Sequence, residues 1–238
     1  MIIIPARLES SRFARKVLAD VGGLPMVVRT AQAVKEIDDV VVAADSELIL
    51  STCKEHDIKA VLTSTTHKSG TDRVHECAQK LLLDDHEIII NVQADEPFLH
   101  PEVIHKLQYR LKELKQQNRD FIMGSCYNEI NDDAAKDVNL VKVVIDSCDN
   151  AIYFSRAKIP YNRSNTATYF GHIGIYGFTK KSLKEFCNLT DAPIENIEKL
   201  EQLRAIYHSK PISMVKVSST SFGIDTKEDL QRAVKQFL

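Results

Sequence analysis

The sequence predicts an α/β fold: a mostly parallel sheet with helices on both faces, carrying a smaller mixed-sheet insertion. Three observations predict it. Short apolar runs alternate with amphipathic stretches through the first half of the chain, the rhythm of β-α-β units. The run Ile88-Ile89-Ile90 ends abruptly at Asn91-Val92-Gln93-Ala94-Asp95-Glu96-Pro97, as a buried parallel strand does at its carboxyl end. Beyond residue 121 the rhythm gives way to strand, turn and strand.

The elements follow in order. Ile2-Ile3-Ile4-Pro5 is the first strand, followed by a polar, basic loop. A helix is expected over Leu24–Lys35, with Met26, Val27, Thr30, Ala31 and Val34 on one face. Val40–Ala44 is a strand, Glu47–His56 a helix, Ala60–Leu62 a short strand and Thr71–Leu83 a helix. After the strand leading to Asp95, Pro101–Gln116 shows Val103, Ile104, Leu107, Leu111 and Leu114 at helical spacing. Strands are expected at Phe121–Tyr127, Val141–Ile145 and Ala151–Phe154, the last two joined by the turn Asp146-Ser147-Cys148-Asp149-Asn150. Tyr161–Thr168 reads as a loop and Ile173–Phe178 as a strand. Helices at Lys180–Phe186 and Asn196–Tyr207, a strand at Ser213–Val217 and a terminal helix at Lys227–Phe237 complete the chain. No linker interrupts residues 1–238, so one domain is expected, with a lobe at about 121–178.

With 238 residues, 44% of them hydrophobic, the chain can bury one sizeable core. Its 31 basic and 33 acidic residues give no global attraction to nucleic acid or an anionic membrane. Any phosphate site must come from local clustering. The five cysteines are scattered, odd in number and form no C-x-x-C pair. They point to a reduced, cytoplasmic protein without a zinc site. The N-terminal apolar run is too short for a signal peptide, and no segment has the length and apolarity of a membrane span.

Ligands of open α/β sheets collect beyond the carboxyl ends of the strands. Asp95 falls there, and a carboxylate so placed suits Mg2+ shared with a substrate's phosphates. Capping the helix at Pro101 is the alternative reading. The loop Arg7-Leu8-Glu9-Ser10-Ser11-Arg12-Phe13-Ala14-Arg15-Lys16 sets four cations at the first strand's end. Arginine forks and a lysine charge match phosphate oxygens, although a solvated basic face would look the same. The loop is no P-loop, and no G-x-G-x-x-G follows the first strand, which argues against a dinucleotide-binding dehydrogenase. In Ser69-Gly70-Thr71-Asp72-Arg73, Ser69 or Thr71 can cap a helix and Gly70 admits a close approach. Arg73 in a first turn opposes the helix dipole, a cost that a bound anion would offset. Thr226 and Asp229 have capping-box spacing, which leaves Asp225 available to face Asp95 across a cleft. The polar residues of Ile197–Arg204 read as a solvated helix face, His172 as structural, and Arg156 as part of hairpin packing.

Taken together, seven segments in this order resemble the 3-deoxy-manno-octulosonate (Kdo) cytidylyltransferase family over nearly the whole chain. They are Ile4-Pro5-Ala6-Arg7, Ser69–Arg73, Val92–Pro97, Tyr153–Ala157 with Ile159-Pro160, His172–Gly177, Leu200–Arg204 and Asp225-Thr226. The resemblance implies a Rossmann-like nucleotidyltransferase fold and a cytoplasmic, Mg2+-dependent homodimer. Such an enzyme makes CMP-Kdo and pyrophosphate from CTP and Kdo for lipopolysaccharide synthesis. It implies Ala6, Arg7, Arg12 and Lys16 in the nucleotide loop, with Lys16 catalytic beside Asp95 and Asp225. Ser69, Gly70 and Arg73 would contact the nucleotide, and Gln93 would lie between nucleotide and sugar. Asp95 and Asp225 would bind the metal, and Arg156, His172, Tyr176, Glu201 and Gln202 the sugar. A dimer contact around Tyr153–Tyr161 is also implied, with no role for nucleic acid or membrane. A CMP-sialic acid synthetase, or a non-catalytic nucleotide-binding homologue, is the competing expectation. Two positions depart from the family pattern. Ala14-Arg15-Lys16 replaces Pro-Gly-Lys, which narrows the loop's backbone freedom and adds a charge. Ala94 replaces a glycine, a change that costs little at negative φ.

Overall fold

The computed structural model describes residues 1–9, 13–218 and 223–237. The chain forms two compact units, Met1–Ile104 with Ser221–Leu238, and His105–Thr220.

The first unit opens with strand β1 (Ile2–Ala6), helix α1 (Met26–Val34) and strand β2 (Val40–Ala44), followed by α2 (Glu47–Glu55), β3 (Ala60–Leu62), α3 (Gly70–Lys80) and β4 (Ile88–Asn91). Its strands are all parallel, in the order β3-β2-β1-β4. Every residue of β1 is buried, and each isoleucine so buried contributes about 1.5–3 kcal/mol. The chain builds outward from β1 to β2 and β3, then returns to set β4 against the other side of β1. That reversal is a topological switch point, where the loops leaving two adjacent strands diverge and open a crevice. The loops after β1 and β4 are the ones that carry Arg7, Lys16, Gln93 and Asp95.

The chain passes into the second unit within α4 (Pro101–Gln116). There β5 (Met123–Ile130) leads to the hairpin of β6 (Lys142–Ile145) and β7 (Ala151–Ser155), then to the long β8 (Tyr169–Thr179). Helices α5 (Lys180–Cys187), α6 (Pro193–Glu198) and α7 (Leu203–Tyr207) precede β9 (Ile212–Lys216). Strand β5 pairs antiparallel with β8 and parallel with β9, so this unit's sheet is mixed. The β5–β8 register shifts between Ser125 and Cys126. Such bulges twist a strand and re-aim its side chains. The chain returns to the first unit with α8 (Lys227–Phe237), which Thr226 and Asp229 cap reciprocally.

One expected element is overturned. The single helix over Asn196–Tyr207 is broken in two, because Lys199 adopts φ 55° and ψ 47° and ends α6. The break serves burial: Gln202 and Arg204 are 2% and 8% exposed rather than solvated. Arg204 donates to both carboxylate oxygens of Glu195, at 2.9 and 2.6 Å, the bidentate geometry that favours an arginine–carboxylate pair.

Candidate active site

In the first unit a cleft of about 280 Å3 lies at the switch point, lined by residues that include Arg7, Lys16, His67, Lys68, Ser69, Gly70, Arg73, Gln93, Asp95 and Asp225. Asp45 fixes the start of the loop after β1: its backbone N–H donates to Ala6 O (3.2 Å) and its carboxylate accepts from Leu8 N–H (2.8 Å). Ala6 is wholly buried in β1 and is not part of the cleft's lining. Arg12 lies outside the described residues. Arg15 adopts the left-handed conformation (φ 52°, ψ 34°), and Lys16 opens a short 3-10 turn. The loop thus keeps the backbone shape that favours glycine and imposes it on an arginine.

The acid beyond β4 and the acid just before α8 meet. Ile224 N–H donates to Asp95 O at 2.9 Å, which brings the segment before α8 alongside the loop after β4. Ile224 packs in a buried cluster with Val21, Met26 and Ala233, and Phe98 stacks on Phe237. The Lys16 ammonium then bridges the pair, 2.5 Å from Asp95 Oδ2 and 3.0 Å from Asp225 Oδ1. Burial alone would lower the Lys16 pKa, but the charge of Asp95 and hydrogen bonds to both carboxylates overcome it, and the pKa lies above the ordinary lysine value. Two carboxylates converging on one cation have the donor chemistry that a hard divalent ion requires. Among the described residues no group of three or more His, Cys, Asp or Glu is placed to hold a metal. Asp95 and Asp225 are the residues that would hold a Mg2+ ion, whose remaining ligands would be water and substrate oxygens. Ala94 has no positive φ, and its carbonyl accepts from Thr30 Oγ (2.8 Å), so the extra methyl is accommodated.

Ser69 caps α3, accepting from Asp72 N–H at 3.1 Å, and the helix's positive end faces the cleft. A Cβ on Gly70 would lie 3.3 Å from Pro5 Cγ and 3.6 Å from Gln93 Oε1, so glycine here keeps three segments close. Arg73 differs from expectation. Its guanidinium is 3% exposed and donates to Thr63 Oγ (2.7 Å), Ser64 O (3.0 Å) and Asp45 Oδ2 (3.5 Å). Protein acceptors, rather than a bound anion, already account for a cation in that first turn. Burial lowers its pKa, Asp45 and Glu76 oppose this, and the like charge of Arg7 adds to the depression. His67 and Lys68 were missed in the sequence. Glu76, on α3, accepts from Ser64 N–H and pairs with His67 and Lys80, which holds the loop bearing His67 and Lys68 at the cleft.

The second unit gathers the other expected residues. His172 and Tyr176 share one side of β8, and Ser125 of β5 is the ladder partner of Tyr176. His172 Nε2 lies 2.8 Å from Ser125 Oγ, which donates to Ile175 O (2.7 Å). Gln202 Nε2 lies 3.5 Å from His172 Nδ1, and Tyr176 OH donates to Gln202 Oε1 (3.0 Å). This chain of donors is self-consistent with a neutral imidazole protonated at Nε2. Burial pushes the His172 pKa down to about 3. Burial, with the charge of Glu201, raises that of Tyr176. Arg156 is tied to Glu198: its N–H donates to the carboxylate (3.0 Å) and its Nε to the carbonyl (2.9 Å).

Comparison with known proteins agrees with this geometry. The profile of the family described as Cytidylyltransferase matches residues 1–212. The 3-deoxy-manno-octulosonate cytidylyltransferase of a Nitratiruptor species is 53% identical over 238 residues, covering 100% of this chain and 99% of that protein. That of Helicobacter pylori is 52% identical over 242 residues, covering 100% and 97%. The solved structure of CMP:2-keto-3-deoxy-manno-octonic acid synthetase complexed with CTP has a TM-score of 0.90 and 32% identity, covering 98% of this chain and 96% of that one. With a strand order, a loop conformation and a pair of acids that fit a nucleotide site, and with this similarity along its whole length, the chain belongs to the cytidylyltransferase family, among the 3-deoxy-manno-octulosonate cytidylyltransferases.

Proposed function

We propose that the protein transfers CMP from CTP to Kdo, releasing pyrophosphate. The observation that carries the reading is the convergence of Asp95 and Asp225 on a single cation in a cleft lined with Arg7, Ser69 and Gly70. In this reading Asp95 and Asp225 hold Mg2+, which when bound polarises the α-phosphate and acidifies the sugar hydroxyl. Arg7, Arg12 and Lys16 offset charge that grows on the β- and γ-phosphates as the α-phosphorus bond breaks. Lys16 changes partner in the process, leaving the carboxylates for the triphosphate. Ser69 and Gly70 present the N-terminus of α3 to the nucleotide. Arg73 fixes the wall behind it through Asp45, Thr63 and Ser64. Gln93 contacts nucleotide and sugar.

Arg156, His172, Tyr176, Glu201 and Gln202 bind the sugar acid. Neutral His172 cannot repel or attract a carboxylate strongly, and with its ring nitrogens engaged by Ser125 and Gln202 it serves to orient Gln202 and Tyr176 toward the sugar. Arg156 supplies the charge. The working form in this reading is a cytoplasmic homodimer. In support of the dimer, Ile152 and Tyr161, at the two ends of the Tyr153–Tyr161 region, expose large apolar surface. Pyrophosphate release from CTP, Kdo and Mg2+, with sialic acid assayed in parallel, tests the proposal. Release with Kdo and not with sialic acid is expected. No release with either sugar, or preference for sialic acid, overturns it.

A further inference from the structure

We infer that Lys142 is a positioning residue for the sugar acid, acting through Arg156. The inference rests on the reading of Arg156 as a substrate-binding group. Lys142 sits in β6, facing β7 on one side and β8 on the other, and is 0% exposed. Lysine is almost never so buried without a carboxylate partner. Here its three donors meet three backbone carbonyls instead: Asp137 O at 2.7 Å, Leu140 O at 2.6 Å and Arg156 O at 2.6 Å. That satisfies the ammonium completely. Burial lowers its pKa, the charge of Asp137 opposes this, and the like charge of Arg156 adds to it.

Packing does not call for this arrangement. A methionine would fill much the same space without desolvating a charge, but would leave the three carbonyls without this donor. What the ammonium adds is a tie between the 137–140 segment and the backbone of Arg156. The same segment returns to the Arg156 side chain, because Val138 O accepts from its Nη1 at 3.2 Å. Glu198 completes the clamp. Its carboxylate accepts from Arg156 N–H and, at 2.5 Å, from Ser155 Oγ, while its carbonyl accepts from Arg156 Nε. Backbone and guanidinium of Arg156 are thus held on both sides before a ligand arrives, and Lys142 fixes one of those sides. A planar guanidinium recognises a carboxylate by a fork of parallel hydrogen bonds, so its orientation governs affinity.

The test is a double-mutant cycle of Lys142→Met and Arg156→Ala, with KM measured separately for Kdo and CTP and folding checked by thermal melts. Lys142→Met is expected to raise the Kdo KM about tenfold, a size usual for coupled neighbours, and to move the CTP KM less than about twofold. In the Arg156→Ala background the same change should add almost nothing. An additional tenfold rise there, or an equal rise in both KM values, overturns the inference and marks Lys142 as generally structural. Should the methionine variant not fold, Lys142→Gln, which keeps two donors, is expected to raise the Kdo KM selectively, and no rise overturns the inference. If Arg156→Ala leaves the Kdo KM unchanged, the reading of Arg156 itself fails, and the dependent inference with it.

Discussion

Replacing Lys16 with methionine removes the ammonium while keeping most of the stem, and leaves Asp95 and Asp225 facing one another. On the proposed reading the ammonium and a divalent ion would claim the same carboxylate oxygens, so the variant should bind metal more tightly when no nucleotide is present. At separations of about 3 Å and an effective dielectric near 20, each contact has a gross attraction of about 5 kcal/mol. Most of that is lost to desolvation of the ammonium, which is only 12% exposed. The Asp225 contact is discounted further, because its side chain is 46% exposed and screened. A net of about 1–2 kcal/mol remains, which an incoming ion must overcome. Methionine at this position should therefore tighten Mn2+ binding about tenfold. Titration of the free Mn2+ resonance by electron paramagnetic resonance reads this directly, without turnover. With CTP present the order should invert, since the variant lacks a cation for the triphosphate. Equal or weaker Mn2+ affinity in the variant, measured without CTP, would refute the shared-oxygen argument.

Other expectations follow from the same geometry. Asp225→Asn should lower turnover on the order of a hundredfold at limiting Mg2+, and near-normal pyrophosphate release would end its assignment as a metal ligand. Arg15→Gly should stabilise the fold, because the left-handed region costs a non-glycine residue roughly 1–2 kcal/mol, of which glycine's greater freedom when unfolded takes back about half. A Tm rise of about 1–3 °C is expected, and a fall would show that Arg15 makes a compensating contact. His172 has a native pKa of about 3 against an ordinary 6.5. Between those values the unfolded chain binds a proton that the native state does not. Its contribution is therefore intact above 6.5 and lost as pH falls toward 3, by on the order of 4 kcal/mol. Urea unfolding should show this acid limb in the parent and a flatter one in His172→Gln, and identical limbs would refute it. Of the five cysteines, Cys53, Cys77 and Cys126 are buried, their thiol pKa values pushed up to about 11, 12 and 12 by burial. A thiol reagent should label at most Cys148 and Cys187 in the native protein, and labelling of Cys126 before unfolding would contradict the packing.

Much of the fold was legible because its signals are local. The bounds of Val40–Ala44, Ala60–Leu62, Pro101–Gln116 and Lys227–Phe237 fall where apolar period and capping residues put them. Asp95 was readable as an acid beyond a strand and Asp225 as an acid beside a helix cap, but their meeting was not. It depends on a hydrogen bond from Ile224 to the Asp95 carbonyl and on α8 packing through Ala233, neither of which leaves a mark in residue type. Lys199 shows the opposite failure. Ile197–Arg204 has good helix formers at helical spacing, and a local reading continues the helix. Burial of Gln202 against Tyr176, and of Arg204 against Glu195, outweighs that preference and breaks the helix instead. Lys142 was equally hidden, since the three groups that bind it are carbonyls, which every residue carries.

Lys16 is a half-buried ammonium and Lys142 a fully buried one, and their partners give them opposite roles. Lys16 is held by carboxylates. On the proposed reading a divalent ion would displace the lysine without leaving those oxygens unpaired, and the displaced ammonium would find new acceptors on a triphosphate. Lys142 is held by three backbone carbonyls. They are neutral, fixed by the chain, and would each lose a partner in a dry interior if the lysine left, at about 1–3 kcal/mol apiece. Lys16 is therefore built to move and Lys142 to stay. Side-chain ammonium resonances read by nuclear magnetic resonance should separate the two: adding CTP with Mg2+ should shift the Lys16 signal and leave that of Lys142 in place. If both shift equally, the carbonyl cage is not the fixed frame on which this division of labour depends.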